Sequence, residues 1–122
     1  MTGRAFLAAS LGLALAWSAP TPATAIESNR LGADMRCLVA SLTLITSSDP
    51  EQQRAGFGSF AYWLGRVDGA APTINLEEEI ATLAQSMTQE DVSHELVRCG
   101  GELQARGQQV TELGNRLSAR GF

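Results

Sequence analysis

From Asp34 onward the apolar residues recur every three or four positions, the period of amphipathic helices, and no stretch alternates convincingly as a half-buried strand does. Over "DMRCLVASLTLIT", Asp34 to about Thr46, Leu38, Leu42 and Ile45 share one face, with Cys37, Ser41 and Leu44 beside them. The β-branched, Leu-rich end of this segment also fits a strand. The preceding "IESNRLGA" reads as a loosely held arm or a short extra turn. At "SSDPEQQ" the chain stops and restarts: Asp49 suits an N-cap, Pro50 the first helical position and Gln52 the capping-box partner. The second helix is predicted from Pro50 to about Val67, ending at Asp68 and Gly69. Asn75 and Glu78 mark the start of a third, with Leu76, Ile80, Leu83 and Met87 on one face and glutamates in the first turn, where the helix dipole favours them.

Thr88 and Asp91 open the fourth segment, where Val92, Leu96, Cys99 and Leu103 follow at helical spacing and Val110, Leu113 and Leu117 continue it. Gly100, Gly101 and Gly107 each cost up to about 1 kcal/mol relative to Ala, so this is one long helix or two joined at a kink. The expected fold is all-α: a single small bundle of about four helices with its core between about Met35 and Leu117.

The stretch "FGSFAYWLGRVDG" gathers Phe57, Phe60, Tyr62 and Trp63. Advancing 100° per residue puts Phe57, Phe60, Leu64 and Val67 on one arc, with Ala61 and Trp63 at its edges. Phe57, Phe60 and Leu64 are therefore expected in the core. Gly58, Ala61 and Gly65 form a narrow small-residue strip suited to close helix packing. Tyr62 and Arg66 fall on the opposite side, four residues apart and within reach of each other. With the half-buried Trp63 they form the candidate interaction surface, since aromatic and arginine side chains dominate interface hot spots.

The N-terminus changes the setting. Arg4, an apolar run from Ala5 to about Ala19, and a Pro-containing segment ending in Ala23-Thr24-Ala25 make the pattern of an export signal cleaved after Ala25. The run is shorter than the roughly 20 residues a spanning helix needs, although an uncleaved anchor is the alternative. No Cys follows it to carry a lipid. Residues 26–122 are then one domain, expected in the periplasm, with no stable membrane insertion after cleavage.

The whole chain has net charge −4, and all nine of its basic residues are arginine. An acidic chain without lysine argues against nucleic acid and anionic membranes, both of which reward clustered cations. In an exported chain, Cys37 and Cys99 favour one disulfide. Closing a loop of about 60 residues contributes roughly 4 kcal/mol by the chain-entropy estimate. Two free thiols or an intermolecular bridge are the alternatives. The cysteines fall on the inward faces of the first and last helices, which supports the pairing.

Catalytic signatures are missing from the sequence. The single His94 sits one turn into an amphipathic helix, facing away from Val92 and Leu96, and no Ser–His–Asp or Cys–His constellation can be built without it. The "LEEE" carboxylates are accounted for by capping and dipole. No phosphate loop, GxGxxG or HExxH motif is present, and two cysteines with one histidine lack zinc-site spacing. No enzyme activity, cofactor or metal is expected.

An exported helical domain with a Cys near the start of its first helix, an aromatic and small-residue second helix, and a later Cys in "VSHELVRC" resembles the HdeA-type fold of periplasmic acid-stress chaperones. The pattern "C-L-V…SSDP…YWLGR-DG…C" is more closely similar to small exported alphaproteobacterial proteins of unknown function. The resemblance covers about Met35 to Leu103. Those chaperones are lysine-rich, unlike this chain, and their inter-cysteine span is shorter. Two functions are expected on these grounds. The first is an interaction module meeting a protein partner or a second copy. The second, implied by the resemblance, is an acid-triggered holdase whose carboxylate protonation loosens a dimer and exposes apolar surface to unfolding clients.

Overall fold

A computed structural model describes the backbone from Pro22 and the side chains from Ser28, both to Phe122. The expected leader and its cleavage point lie outside the residues whose side chains are described. The described chain forms α1 (Pro22–Ile45), α2 (Pro50–Ala70), α3 (Leu76–Ser86) and α4 (Gln89–Ser118), with no strand among the described residues. The bundle is all-α, as the apolar periodicity predicts.

The helix starts follow from local chemistry. The Asp49 carboxylate accepts from the Glu51 N–H at 2.9 Å, with Pro50 in the first turn. The reciprocal half of that capping box does not form. Gln52 instead accepts from the Ser47 hydroxyl at 2.7 Å, and Ser47 takes the Asp49 N–H. Asn75 caps α3 through the Glu78 N–H. At α4 the box is complete: Thr88 Oγ1 accepts from the Asp91 N–H, and the Asp91 carboxylate accepts from the Thr88 N–H at 2.8 Å.

Two boundaries differ from expectation, and an alternative left open at the fourth helix is settled. The "IESNRLGA" arm is a continuation of α1. The second helix runs through Asp68 and Gly69, closing where the Ala71 N–H reaches the Val67 carbonyl at 2.8 Å. The fourth helix is one continuous element across Gly100, Gly101 and Gly107.

The other three helices all pack against α1. Its C-terminal half lies along α2, where Gly56 is the point of closest approach and Ser41 and Ser59 share a hydrogen bond of 2.7 Å. A Cβ at Gly56 would stand 2.7 Å from the Ile45 backbone nitrogen. The core gathers Met35, Cys37 and Leu38 of α1, Trp63 and Val67 of α2, and Cys99 of α4. Leu83 and Ile80 bring α3 against its edge.

This arrangement corrects the expected core. Phe57 is 61% exposed, while Phe60 and Leu64 are only partly buried against the core. The buried stripe of α2 runs Gly56, Phe60, Trp63, Val67, rotated roughly one-sixth of a turn from the most apolar arc. The rotation follows the glycine: only at Gly56 can the two backbones meet. Gly58 and Gly65, expected to serve close packing, face open space. The core also stops at Leu103. Val110, Leu113 and Leu117 are exposed because, among the described residues, no other helix extends alongside the outer half of α4.

Candidate interaction surface

Tyr62, Trp63 and Arg66 are brought together, but facing inward. Trp63 is fully buried at the centre of the core, with Tyr62 edge-on at 4.8 Å between ring centroids. Its indole N–H has no hydrogen-bond partner among the described residues. Arg66 reaches across three helices: it donates to Asp34 of α1 at 3.0 Å, to Tyr62 of its own helix at 3.4 Å and to Glu102 of α4 at 3.1 Å. Its guanidinium lies 5.3 Å from the Trp63 ring centroid, within range of a cation–π attraction. The hydrogen bond to Asp34 outweighs the opposing effect of burial and raises the Arg66 pKa, so the cation persists at every pH of interest. These three residues tie the bundle together, and their side chains are largely engaged within the chain.

A second polar cluster surrounds the disulfide. Cys37 and Cys99 are bonded, with Cα atoms 5.7 Å apart, and both are buried. Arg98 covers the bridge, donating to the Ala33 carbonyl at 2.9 Å and contacting Cys37 Sγ at 3.0 Å. Glu95 accepts from Arg36 of α1 at 2.8 Å and from Arg98 at 2.7 Å. Burial works against its ionisation, but the two arginine hydrogen bonds outweigh it and hold the Glu95 carboxyl below its ordinary value. Asp91 is also held low, by the hydrogen bonds of Thr88 and then by the nearby Arg36. Glu95 and the two sulfurs lie within 4.8 Å of one another. As bridged sulfurs neither cysteine is a thiolate, so the cluster is an ion-paired staple joining α1 to α4. His94 is exposed on α4, on the side expected.

Two open clefts flank α1. One of about 620 Å³ is lined by Arg30, Asp34 and Arg66 among others, and one of about 480 Å³ lies between α1 and α3 beside Leu31, Met35, Ile74 and Leu83. Neither gathers a catalytic constellation.

Among the described residues, the outer half of α4 is a surface that no other helix covers. Every residue from Gln104 to Phe122 is exposed, including Val110 at 68% and Leu113 at 48%. Isolated helices of this length are marginal in water, and packing of an apolar face normally supplies what is missing. Sequence reasoning found these apolar positions but assigned them to the core. Among the described residues no helix is long and apolar enough to cross a membrane. Compared with known proteins, the chain matches no family model, no curated protein and no solved structure.

Proposed function

We propose that this chain is an exported, periplasmic interaction protein that works without catalysis and presents the outer half of α4 as its docking element. One observation carries the reading: α4 continues past the core with Val110, Leu113 and Leu117 exposed along one side. A helix in this situation matches the helix-in-groove or helix-pairing modes of recognition, in which apolar residues at helical spacing serve as anchors. The disulfide and the Arg36–Glu95–Arg98 cluster then act as the mount, fixing α4 to α1 so that the arm projects from a stable base.

The test is cross-linking of the full chain in cells, comparing wild type with Val110→Glu/Leu113→Glu. Both positions are exposed, so the domain should fold unchanged while its cross-linked adducts disappear. Adducts that persist unaltered in the double variant would remove α4 from the docking role.

The acid-triggered holdase is the second reading, and the ion pairs at α4 favour it. Asp91 and Glu95, both held below their ordinary values, face Arg36 across the α1–α4 contact. Protonation removes those attractions, and apolar surface between the helices becomes available to unfolding clients. Acidification in the presence of an aggregating client tests it. Suppressed light scattering below about pH 4, with none at pH 7, supports a holdase; equal scattering with and without the protein rejects it.

A further inference from the structure

We infer that Cys99 is a site of reversible S-thiolation, and that Cys37 is the sulfur that leaves and later recloses the bridge, held as a thiolate by Arg98. The co-reactant is a small thiol of the glutathione class.

In the sequence the two cysteines are near equivalents, because Arg36 precedes Cys37 and Arg98 precedes Cys99. Folding removes that equivalence. Arg98 reaches past its own neighbour and places Nη2 3.0 Å from the Cys37 Sγ. Arg36 turns away from the bridge to Glu95, at 2.8 Å. Glu95 stands against the other sulfur, with Oε2 3.8 Å from the Cys99 Sγ. One end of the bridge therefore faces a cation and the other a carboxylate. Both groups are fixed. Arg98 is anchored on Glu95 at 2.7 Å and on the Ala33 carbonyl at 2.9 Å, and the two arginines hold Glu95 ionised.

These opposite charges sort the sulfurs in thiol–disulfide exchange. The incoming thiolate attacks one sulfur, and the electron pair of the S–S bond leaves on the other, which departs faster the better its anion is stabilised. Departure on Cys37 puts the new negative charge beside a positioned guanidinium. Departure on Cys99 puts it against a carboxylate. The bond that forms therefore joins the small thiol to Cys99 as the Cys37–Cys99 bond breaks, and a thiolate enters and a thiolate leaves with no net proton transfer. In the reverse step Cys37 attacks the mixed disulfide at Cys99 and expels the small thiolate. Access points the same way. Cys37 has no exposed surface and Cys99 has 3%, and the two residues after Cys99, Gly100 and Gly101, look onto open space. Because this bridge joins α1 to α4, a thiol acting at Cys99 loosens the mount of α4.

The site of the first cleavage tests this. Glutathione is added to the purified, oxidised full chain at neutral pH, well below its melting transition. Early samples are quenched in acid, free thiols are blocked with a maleimide, and peptide masses locate the glutathione. In the folded wild type it should favour Cys99 over Cys37 by about tenfold or more, the scale of one charge-assisted hydrogen bond. In strong denaturant, where only chain neighbours act, the preference should fall close to parity. Arg98→Met should fall toward the same value while its oxidised form stays folded by circular dichroism. The comparison of folded with denatured wild type decides the matter even if that variant is unstable. Parity or a preference for Cys37 in the folded wild type overturns the inference, as does an unchanged ratio in denaturant. So does a folded Arg98→Met chain that keeps the wild-type ratio, or a bridge that yields no mixed disulfide until the chain unfolds.

Discussion

Arg66 donates to Asp34 at 3.0 Å, joining an arginine that is partly solvated to a carboxylate whose side chain is only 5% exposed. The relationship is asymmetric. Arg66 can still be hydrated, whereas Asp34 without it is a charge buried with no cation. Removing one member of such a pair leaves the desolvation cost of the other uncompensated. Arg66→Leu should therefore destabilise the fold by about 2–3 kcal/mol, somewhat below the range for wholly buried pairs because Arg66 is partly exposed. Asp34→Asn/Arg66→Leu together should cost less than the sum of the single changes. Urea unfolding of the four proteins checks this; strict additivity would mean that the pair does not interact.

The bridge between Cys37 and Cys99 spans 62 residues of chain, which gives reduction a large leverage over the unfolded state. For a loop of that length the chain-entropy estimate is about 4 kcal/mol. Small domains have only a few kcal/mol in reserve, so the reduced protein should be largely unfolded or close to its midpoint at 37 °C. Thermal melts with and without a thiol reductant measure the loss. An unchanged melting temperature after verified reduction would show that the ion pairs and the core alone secure α4.

The pH dependence follows from carboxyls held below their ordinary values. Glu95, ordinarily near 4.5, is shifted down in the folded state, and Asp91, ordinarily near 3.8, likewise. A depressed carboxyl contributes stability that is complete above its unfolded pKa and is lost as the pH falls through its folded one. Stability should be level above about pH 5 and should decline progressively from about pH 4.5 downward. Denaturant midpoints across pH 7 to 2.5 trace this. In Glu95→Gln the midpoint should be lower at pH 7 and the decline shallower. A variant with the same slope as wild type would assign the acid sensitivity to other carboxyls.

The parts of the fold legible in the sequence are those governed by neighbours in the chain. Asp49, Asn75 and Thr88 begin their helices because capping is settled within three residues. The pairing of Cys37 with Cys99 also follows from few facts, since two inward-facing cysteines have one internal solution. The rotation of α2 is a different matter. A helical wheel weighs apolarity and gives Gly56 none, yet its missing side chain decides which side of α2 meets α1. Trp63 is drawn to the centre as a consequence and Phe57 is turned out. Arg66 misleads for a related reason: Asp34 and Glu102 lie 32 and 36 residues away, and no local pattern announces them. The end of the core at Leu103 is hidden as well, because a period specifies which side of a helix is apolar and not what covers it.

Three glycines of α2 provide the sharpest contrast. At Gly56 an added Cβ would stand 2.7 Å from the Ile45 nitrogen and 2.8 Å from Leu44 Cβ, both held by helical backbone and unable to move aside. Gly56→Ala must push α1 and α2 apart, loosening the Ser41–Ser59 hydrogen bond and the packing of Trp63, at a cost of about 1–3 kcal/mol. Gly58 and Gly65 are in the same helix and meet nothing within 4 Å. There the added methyl encounters no clash, while the unfolded chain loses freedom and the helix gains propensity. Gly58→Ala and Gly65→Ala should each stabilise by about 0.5–1 kcal/mol. Thermal unfolding of the three single variants reads out both signs at once. If all three shift the same way, the close approach at Gly56 does not set the rotation of α2, and some other contact must hold Trp63 in the core.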